Sequence, residues 1–386
     1  MNRFRYLNIP QFYFKVMWVF SLFLYILIPL QSPWISQIYR GIILITFLSF
    51  FYVAVIAYRN SIPLFDNIAF IFFLLLSSAA FLSLLMGDGE IRFDQQIIGI
   101  LGFIEMPIAI ILVDHVRYDA DNLKFVFRIN ILIAVVFILL SRSSYAYSGR
   151  LNSLYLGYSN PNTTGIFLLL NAAILLLYLP QLRGGLSKIL VIGLCLYDEY
   201  LIYLTDSRTC LAVSLVILAY ELLGKNIKVP RWVIPVALLF PLAFLFIYVY
   251  LYANGKFTHL LILGKPFYSG REQYFLEQLI LLRDTLLLGD ARTHSFSNMH
   301  NGPLAVIASA GLVGYIFHFL FYCRTLLQSY KGIASRTQSI ALIAIMGIFL
   351  HSSAEAALIV GGAHYSIIVA TFYWILRQRE KYRAFS

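Results

Sequence analysis

Long apolar runs dominate this sequence and constrain its fold more than any other feature. Of the 386 residues, 60% are hydrophobic and 12% are charged, whereas an ordinary soluble domain carries about 25% charged residues. A membrane-spanning helix needs about 20 apolar residues, so the hydrophobic residues suffice for about twelve spans. This composition excludes a soluble enzyme, a nucleic-acid-binding domain and a disordered protein. It predicts an all-α, polytopic integral membrane protein with a single membrane domain over residues 1–386.

Charged and turn residues separate the apolar runs and give the predicted helix positions. A helix satisfies its backbone hydrogen bonds within one segment in lipid, so each run is predicted to be a helix rather than a barrel strand. The twelve predicted spans are residues 12–30, 38–57, 64–86, 97–113, 125–140, 165–179, 189–204, 209–223, 232–252, 303–323, 338–353 and 356–376.

Two predicted outer loops are long, and loops of such length are uncommon unless they are functional. Residues 141–164 form a polar loop that contains an Asn-Pro-Asn turn. Residues 253–302 contain REQYFLEQLILLRDTLLLG (271–289), in which apolar and charged residues interleave. This second pattern predicts an amphipathic helix that lies on the outer membrane surface.

The distribution of Lys and Arg predicts the orientation of the helices. With both termini in the cytoplasm, 19 of the 29 Lys and Arg residues lie in cytoplasmic segments, as the positive-inside rule requires. The remaining cations, mostly arginines, are Arg40, Arg92, Arg142, Arg150, Arg208, Arg271, Arg283, Arg292, Lys256 and Lys265. Arginine binds phosphate through two parallel hydrogen bonds. The set therefore predicts an anionic ligand on the outer side, although any one of these arginines is equally compatible with lipid headgroups.

Acidic residues in the predicted spans are candidate site residues because charge is costly in lipid. Glu199 lies in the seventh span, and Asp206 and Arg208 lie at the turn into the eighth. Helical spacing places all three near the same outer rim, where they form either a site or an ion-pair network that pins the hairpin. For Glu105 and Glu355 we favour structural pairing with other helices over catalysis.

Polar residues at two predicted helix starts are also candidates. His300 and Asn301 follow the second long loop and can present imidazole and backbone N–H groups to an anion, or they simply cap the helix. In GYSNPNTTG (157–165), Asn162, Thr163 and Thr164 are candidate capping side chains. No His, Cys or carboxylate group has the spacing of metal ligands, so we predict no metal site.

Several short motifs follow one another in a familiar order between residues 140 and 315. Arg150 precedes LGYSNPNTTG (156–165), then come SRT (207–209), SGREQY (269–274), LLLGD (286–290) and MHNGPLAVIASAGLVGY (299–315). This ordered series resembles the bacterial O-antigen and capsular polysaccharide polymerase family (the Wzy type) and the related O-antigen ligase family. The resemblance implies a metal-independent glycosyltransferase with a GT-C-like membrane fold and no cofactor.

The resemblance also implies a location and partners. Such enzymes act at the outer (periplasmic) face of the bacterial cytoplasmic inner membrane on oligosaccharides linked to undecaprenyl diphosphate, which serve as donor and acceptor. Membrane lipids and a chain-length regulator protein are the expected partners, and nucleic acid is not. A ligase that transfers glycan to lipid A–core and a transporter or flippase of lipid-linked oligosaccharide are the alternatives.

The motif positions give the expected roles of individual residues. His300 is expected to act as the general base or to donate a hydrogen bond to the diphosphate, with Asp206 or Glu199 as the alternative base. Arg208, Arg271 and Arg150 are expected to stabilise the departing diphosphate. The expected substrate-binding residues are Arg150, Asn160, Asn162, Asp206, Glu199 and Asn301.

Overall fold

The computed structural model describes most of the chain. The described residues are 8–61, 63–87, 91, 96–142, 147–148, 153–158, 160–223, 229–262, 265–268, 271–292, 300–330, 333, 335–356 and 363–377. Arg150, a predicted phosphate ligand, lies outside these residues.

Helices account for nearly all the regular structure of the described residues. They are α1 (Asn8–Leu27), α2 (Ile35–Arg59), α3 (Asn67–Met86), α4 (Ile98–Val113), α5 (Ala120–Ser141), α6 (Pro161–Tyr178), α7 (Gly185–Leu204), α8 (Arg208–Leu223), α9 (Val233–Ala253), α10 (Arg271–Leu281), α11 (Gly302–Tyr330), α12 (Arg336–His351) and α13 (Ala363–Leu376). Two short antiparallel hairpins pair β1 (Tyr147–Ser148) with β2 (Ser153–Leu154) and β3 (Leu261–Ile262) with β4 (Lys265–Pro266).

The prediction of an all-α membrane protein is confirmed in its coarse form. Each of the predicted apolar runs coincides with a helix, and α10 is a helix within the long 253–302 segment, as its amphipathic pattern predicted. Seven of the described helices, α1, α2, α3, α5, α6, α9 and α11, are long and apolar enough to cross a membrane. The apolar helices α4, α12 and α13 are shorter. The count of twelve spans stays a prediction.

Several helix boundaries differ from those read from the sequence. Helix α6 begins at Pro161 rather than 165, because the Asn160 side chain accepts a hydrogen bond from the Asn162 amide at 2.8 Å and Pro suits the first helical position. Helix α10 ends at Leu281, and turns follow it although apolar residues continue. The described part of helix α13 is Ala363–Leu376, and Ala356, where the last predicted span begins, is not helical.

Helix α6 lies at the centre of the bundle. Its residues from Thr164 to Leu177 are buried on all sides, as expected for a helix that is apolar all round. It packs against α5, α7, α8 and α12, and α8 packs against α12. The start of α6, the α7–α8 turn and the end of α12 therefore meet at one end of the bundle.

Helix α11 is broken at Gly311, whose φ of 71° and ψ of 177° are not helical. The break frees backbone groups, and the LLLGD segment satisfies them: the amide of Leu312 donates to the carbonyl of Leu286 at 2.8 Å, and that of Asp290 donates to Ala308 at 2.7 Å. Glycine is required here, because a Cβ atom at Gly311 would lie 2.2 Å from the Leu287 carbonyl oxygen. The short first half of α11, which begins beside His300, therefore takes its own direction.

Candidate functional site

A cavity of about 680 Å³ opens where α6, α8 and α12 meet, beside α9 and α10. Its volume is within the range of small-molecule sites, about 300 to 1,000 Å³. The polar part of its lining is Ser153, Tyr155, Asn162, Thr205, Asp206, Ser207, Arg208, Thr209, Arg271, Ser353 and Glu355. An aromatic wall completes it, formed by Phe240, Phe244, Tyr248, Phe267 and Phe275. The cavity thus combines charged groups with a large apolar surface.

The start of α11 and the end of α12 are joined directly at this cavity. Asn301 caps α11, because its side-chain oxygen accepts from the Leu304 amide at 3.0 Å. Its side-chain nitrogen donates to the Ser353 carbonyl at 3.1 Å, and the Gly302 amide donates to the Ser352 carbonyl at 2.8 Å. These bonds set His300, which precedes the cap, next to the turn that carries Glu355.

Glu355 is bonded to three side chains from separate parts of the sequence. Its Oε1 accepts from Arg271 Nη2 at 2.6 Å and from Asn162 Nδ2 at 2.7 Å. Its Oε2 lies 3.2 Å from His300 Nδ1. Arg271 also donates to the Ala354 carbonyl through Nη1. The start of α6, the start of α10 and the start of α11 therefore converge on one carboxylate, and we call these four residues, Asn162, Arg271, His300 and Glu355, the Glu355 cluster.

The Glu355 cluster favours an ionised carboxylate. Burial alone raises the pKa of Glu355, but the His300 hydrogen bond and the positive charge of Arg271 outweigh burial, and the pKa falls below its ordinary value of 4.5. An ionised carboxylate only accepts hydrogen bonds, so Nδ1 of His300 carries the shared proton. In the neutral ring, Nε2 is then the nitrogen with a free lone pair.

The tight α7–α8 turn supplies the other charged side of the cavity. Asp206 adopts a left-handed backbone with φ of 60°, which Asp tolerates better than most residues, and its carboxylate accepts from the Ser153 hydroxyl at 2.7 Å. Arg208 begins α8 and donates to the Pro266 carbonyl at 3.0 Å. Within the described part of the chain, Arg208 forms no ion pair. Its charge is therefore available to an anion in the cavity.

The structure brings most, though not all, of the predicted site residues together. Asn162, Asp206, Arg208 and Arg271 line the cavity, and His300 is bonded to its lining residue Glu355. The remaining predicted residues that are described, Asn160, Glu199 and Asn301, are not among the lining residues.

Asn301 acts as a helix cap, as one interpretation of the sequence allowed. The cap of α6 is Asn160, and the prediction that Asn162, Thr163 or Thr164 caps this helix is wrong, because the Asn160 side chain accepts from the Asn162 amide. Glu199 accepts from the Ser214 hydroxyl at 2.6 Å, which ties α7 to α8. The described geometry thus gives Asn160, Asn301 and Glu199 structural contacts.

Sequence reasoning undervalued Glu355 and missed the aromatic wall. Glu355 follows an apolar helix in HSSAEAA, and we expected it to pair with another helix rather than to hold a site together. Phe240, Phe244 and Tyr248 repeat at every fourth residue of α9, which puts them on one helix face. That repeat is the sequence signal by which the aromatic wall could have been found. In so apolar a helix, however, such a repeat is indistinguishable from one that packs against another helix.

No group of three or more His, Cys, Asp or Glu side chains with the arrangement of a metal site occurs among the described residues.

The chain as a whole matches no protein-family profile, no curated protein and no solved structure.

Proposed function

We propose that this protein is a polysaccharide polymerase of the bacterial cytoplasmic inner membrane, which joins repeat units carried on undecaprenyl diphosphate into O-antigen or capsular polysaccharide. The observation that carries the proposal is the cavity in which Arg208 and Arg271 lie beside Glu355, the hydrogen-bond partner of His300. The positive-inside pattern of the sequence supports a location of this cavity at the outer face. The order of sequence motifs that resembles the polymerase family supports it independently.

The reaction requires three functions that these residues can supply. A hydroxyl of the acceptor sugar attacks the anomeric carbon of the donor sugar, and its proton passes to Nε2 of His300. The bond between that carbon and the diphosphate oxygen breaks, and the oxygen keeps the electron pair. Arg208 and Arg271 stabilise the charge that develops on the leaving diphosphate. Undecaprenyl diphosphate leaves, and the lengthened glycan stays on the acceptor lipid.

The rest of the cavity suits the other parts of such a substrate. The aromatic wall includes residues of α9, and this helix is exposed at Phe240 and Phe246. The apolar surface of the cavity therefore continues toward lipid. Ser153, Tyr155 and Asn162 offer hydroxyl and amide groups of the kind that bind sugars. The diphosphate is a good leaving group, and transfer of the glycan from it to a hydroxyl is downhill in free energy, so no nucleotide is required.

Purified protein incubated with a synthetic lipid-linked repeat unit tests the proposal directly. A ladder of lengthened products on a gel is the expected result. Transfer of glycan to lipid A–core without a ladder would make the protein a ligase. Movement of the unlengthened substrate across a liposome membrane would make it a transporter.

A further inference from the structure

We infer that Glu355 is the positioning residue of this site: one carboxylate fixes the orientation of the His300 ring and the place of the Arg271 guanidinium together. The inference rests on the proposed function and adds to it a residue outside every motif that carries the family resemblance. Glu355 lies 40 residues beyond the last of these motifs, in the turn that follows α12.

The geometry of the carboxylate is specific for this role. Its two oxygens are divided, Oε2 toward His300 Nδ1 and Oε1 toward Arg271 Nη2 and Asn162 Nδ2. The side chain of Glu355 is 13% exposed, while that of His300 is 40% exposed. The anchor is therefore largely enclosed, and the residue that it orients remains accessible.

Two features of the cluster give the carboxylate a chemical role beyond packing. A carboxylate that accepts from one ring nitrogen of His fixes the tautomer and leaves the other nitrogen able to take a proton. Arg271, held at Nη1 by Ala354 and at Nη2 by Glu355, loses the freedom of a long side chain before the substrate arrives. Glu355 thus prepares the proton acceptor and the phosphate ligand at the same time.

The turn that carries Glu355 is fixed independently of these side chains. Backbone bonds from Glu355 and Ala354 to the His351 carbonyl, at 3.3 and 3.0 Å, continue the end of α12. Asn301 and Gly302 bind the same turn through Ser353 and Ser352. Because these contacts use the backbone, a shorter side chain at position 355 removes the carboxylate and leaves the turn connected.

Chemical rescue separates positioning from a purely structural contribution. Glu355→Ala opens space for a small carboxylate beside the cavity, and Glu221→Ala removes a comparable buried, Arg-paired carboxylate elsewhere. Each variant is assayed for ladder formation after addition of sodium formate or of neutral formamide. Activity is expressed per correctly folded molecule, and the folded fraction is measured by size-exclusion chromatography in detergent. Wild type and His300→Ala are run in parallel.

We expect Glu355→Ala to lose at least about a hundredfold in kcat, the typical contribution of a positioned acid–base group. Formate should restore at least about a tenth of the lost kcat, because it supplies the negative charge that Arg271 and His300 require. Formamide carries no charge and should not restore kcat. Neither compound should change His300→Ala or Glu221→Ala.

Folded Glu355→Ala protein that keeps its activity, or that formate and formamide affect equally, overturns the positioning role. Absence of a ladder from wild-type protein would instead reject the proposed function itself. If Glu355→Ala does not fold, Glu355→Gln is measured in its place, and undiminished kcat in that variant contradicts the inference.

Discussion

Two buried ion pairs, Arg271–Glu355 and Arg336–Glu221, lie near opposite ends of α8 and α12 and have closely similar geometry. The nitrogen–oxygen distances are 2.6 Å and 2.8 Å. The glutamate side chains are 13% and 5% exposed, and the arginines are 23% and 28% exposed. Glu221 is separated from Arg208 at the cavity by roughly 20 Å of α8. By distance and burial alone, the two pairs would receive the same interpretation.

Their surroundings distinguish them. Arg271 and Glu355 line the cavity, and Glu355 also binds His300 and Asn162, whereas Arg336 and Glu221 are not among the lining residues and join the start of α12 to α8. Ion pairs between helices are expected wherever charge enters an apolar bundle. The comparison shows that a functional assignment depends on what else the carboxylate binds and on access to a cavity.

The largest effect is expected at His300, whose side chain is 40% exposed and bonded to Glu355. His300→Ala should reduce polymer formation at least about a hundredfold, and His300→Gln should do nearly the same, because Gln donates hydrogen bonds but cannot take the proton. Ladder formation and binding of the lipid-linked substrate are to be measured for both. An Asn variant at position 300 with full activity would end the catalytic interpretation.

Replacing the arginine of each pair by lysine tests the comparison itself. Arg271→Lys keeps the charge but cannot bind Glu355 and Ala354 with one planar fork, so kcat/KM should fall at least about tenfold, or about 1.4 kcal/mol. Arg336→Lys should leave kcat/KM per folded molecule within about twofold, since it acts on stability alone. Equal losses of activity in the two variants would remove the distinction drawn between the pairs.

A smaller effect is expected at Arg208, whose guanidinium donates to the Pro266 carbonyl. Lysine at this position keeps a point charge and a donor, so Arg208→Lys should raise the KM for the donor about threefold to tenfold. Arg283 is exposed in the same long segment and is not among the lining residues, so Arg283→Lys is the matched control and should be neutral. Steady-state kinetics with a labelled donor decide the matter, and an unchanged KM in Arg208→Lys would argue against phosphate binding there.

The smallest effect concerns stability as a function of pH. The pKa of Glu355 lies below 4.5 in the folded protein, so its stabilising contribution is complete above the unfolded-state pKa and is lost as pH falls through the lower folded-state value. Glu355→Gln should therefore unfold at a lower temperature than wild type near neutral pH, and the difference should shrink in acid. Thermal unfolding in detergent measures it. A difference that grows on acidification would contradict the ionised state of Glu355.

Much of the fold could be predicted from the sequence, because helices in lipid are set by local apolar length. Helix α10 was predicted from its alternation of apolar and charged residues, and the start of α6 was missed by four residues because Asn160 and Pro161 read equally well as a turn. The break in α11 could not be predicted. Gly311 becomes non-helical only because the distant LLLGD segment supplies the missing hydrogen bonds.

The site was only partly predictable for the same reason. Arg208, Arg271 and His300 stand out as polar residues at helix ends, and the sequence alone determined that they are candidates. It could not determine that Glu199 binds Ser214 while Glu355 joins Arg271, His300 and Asn162, because both are acids in otherwise apolar stretches. Their partners come from helices 15 to 193 residues away in sequence, and only tertiary packing decides which donors reach a buried carboxylate.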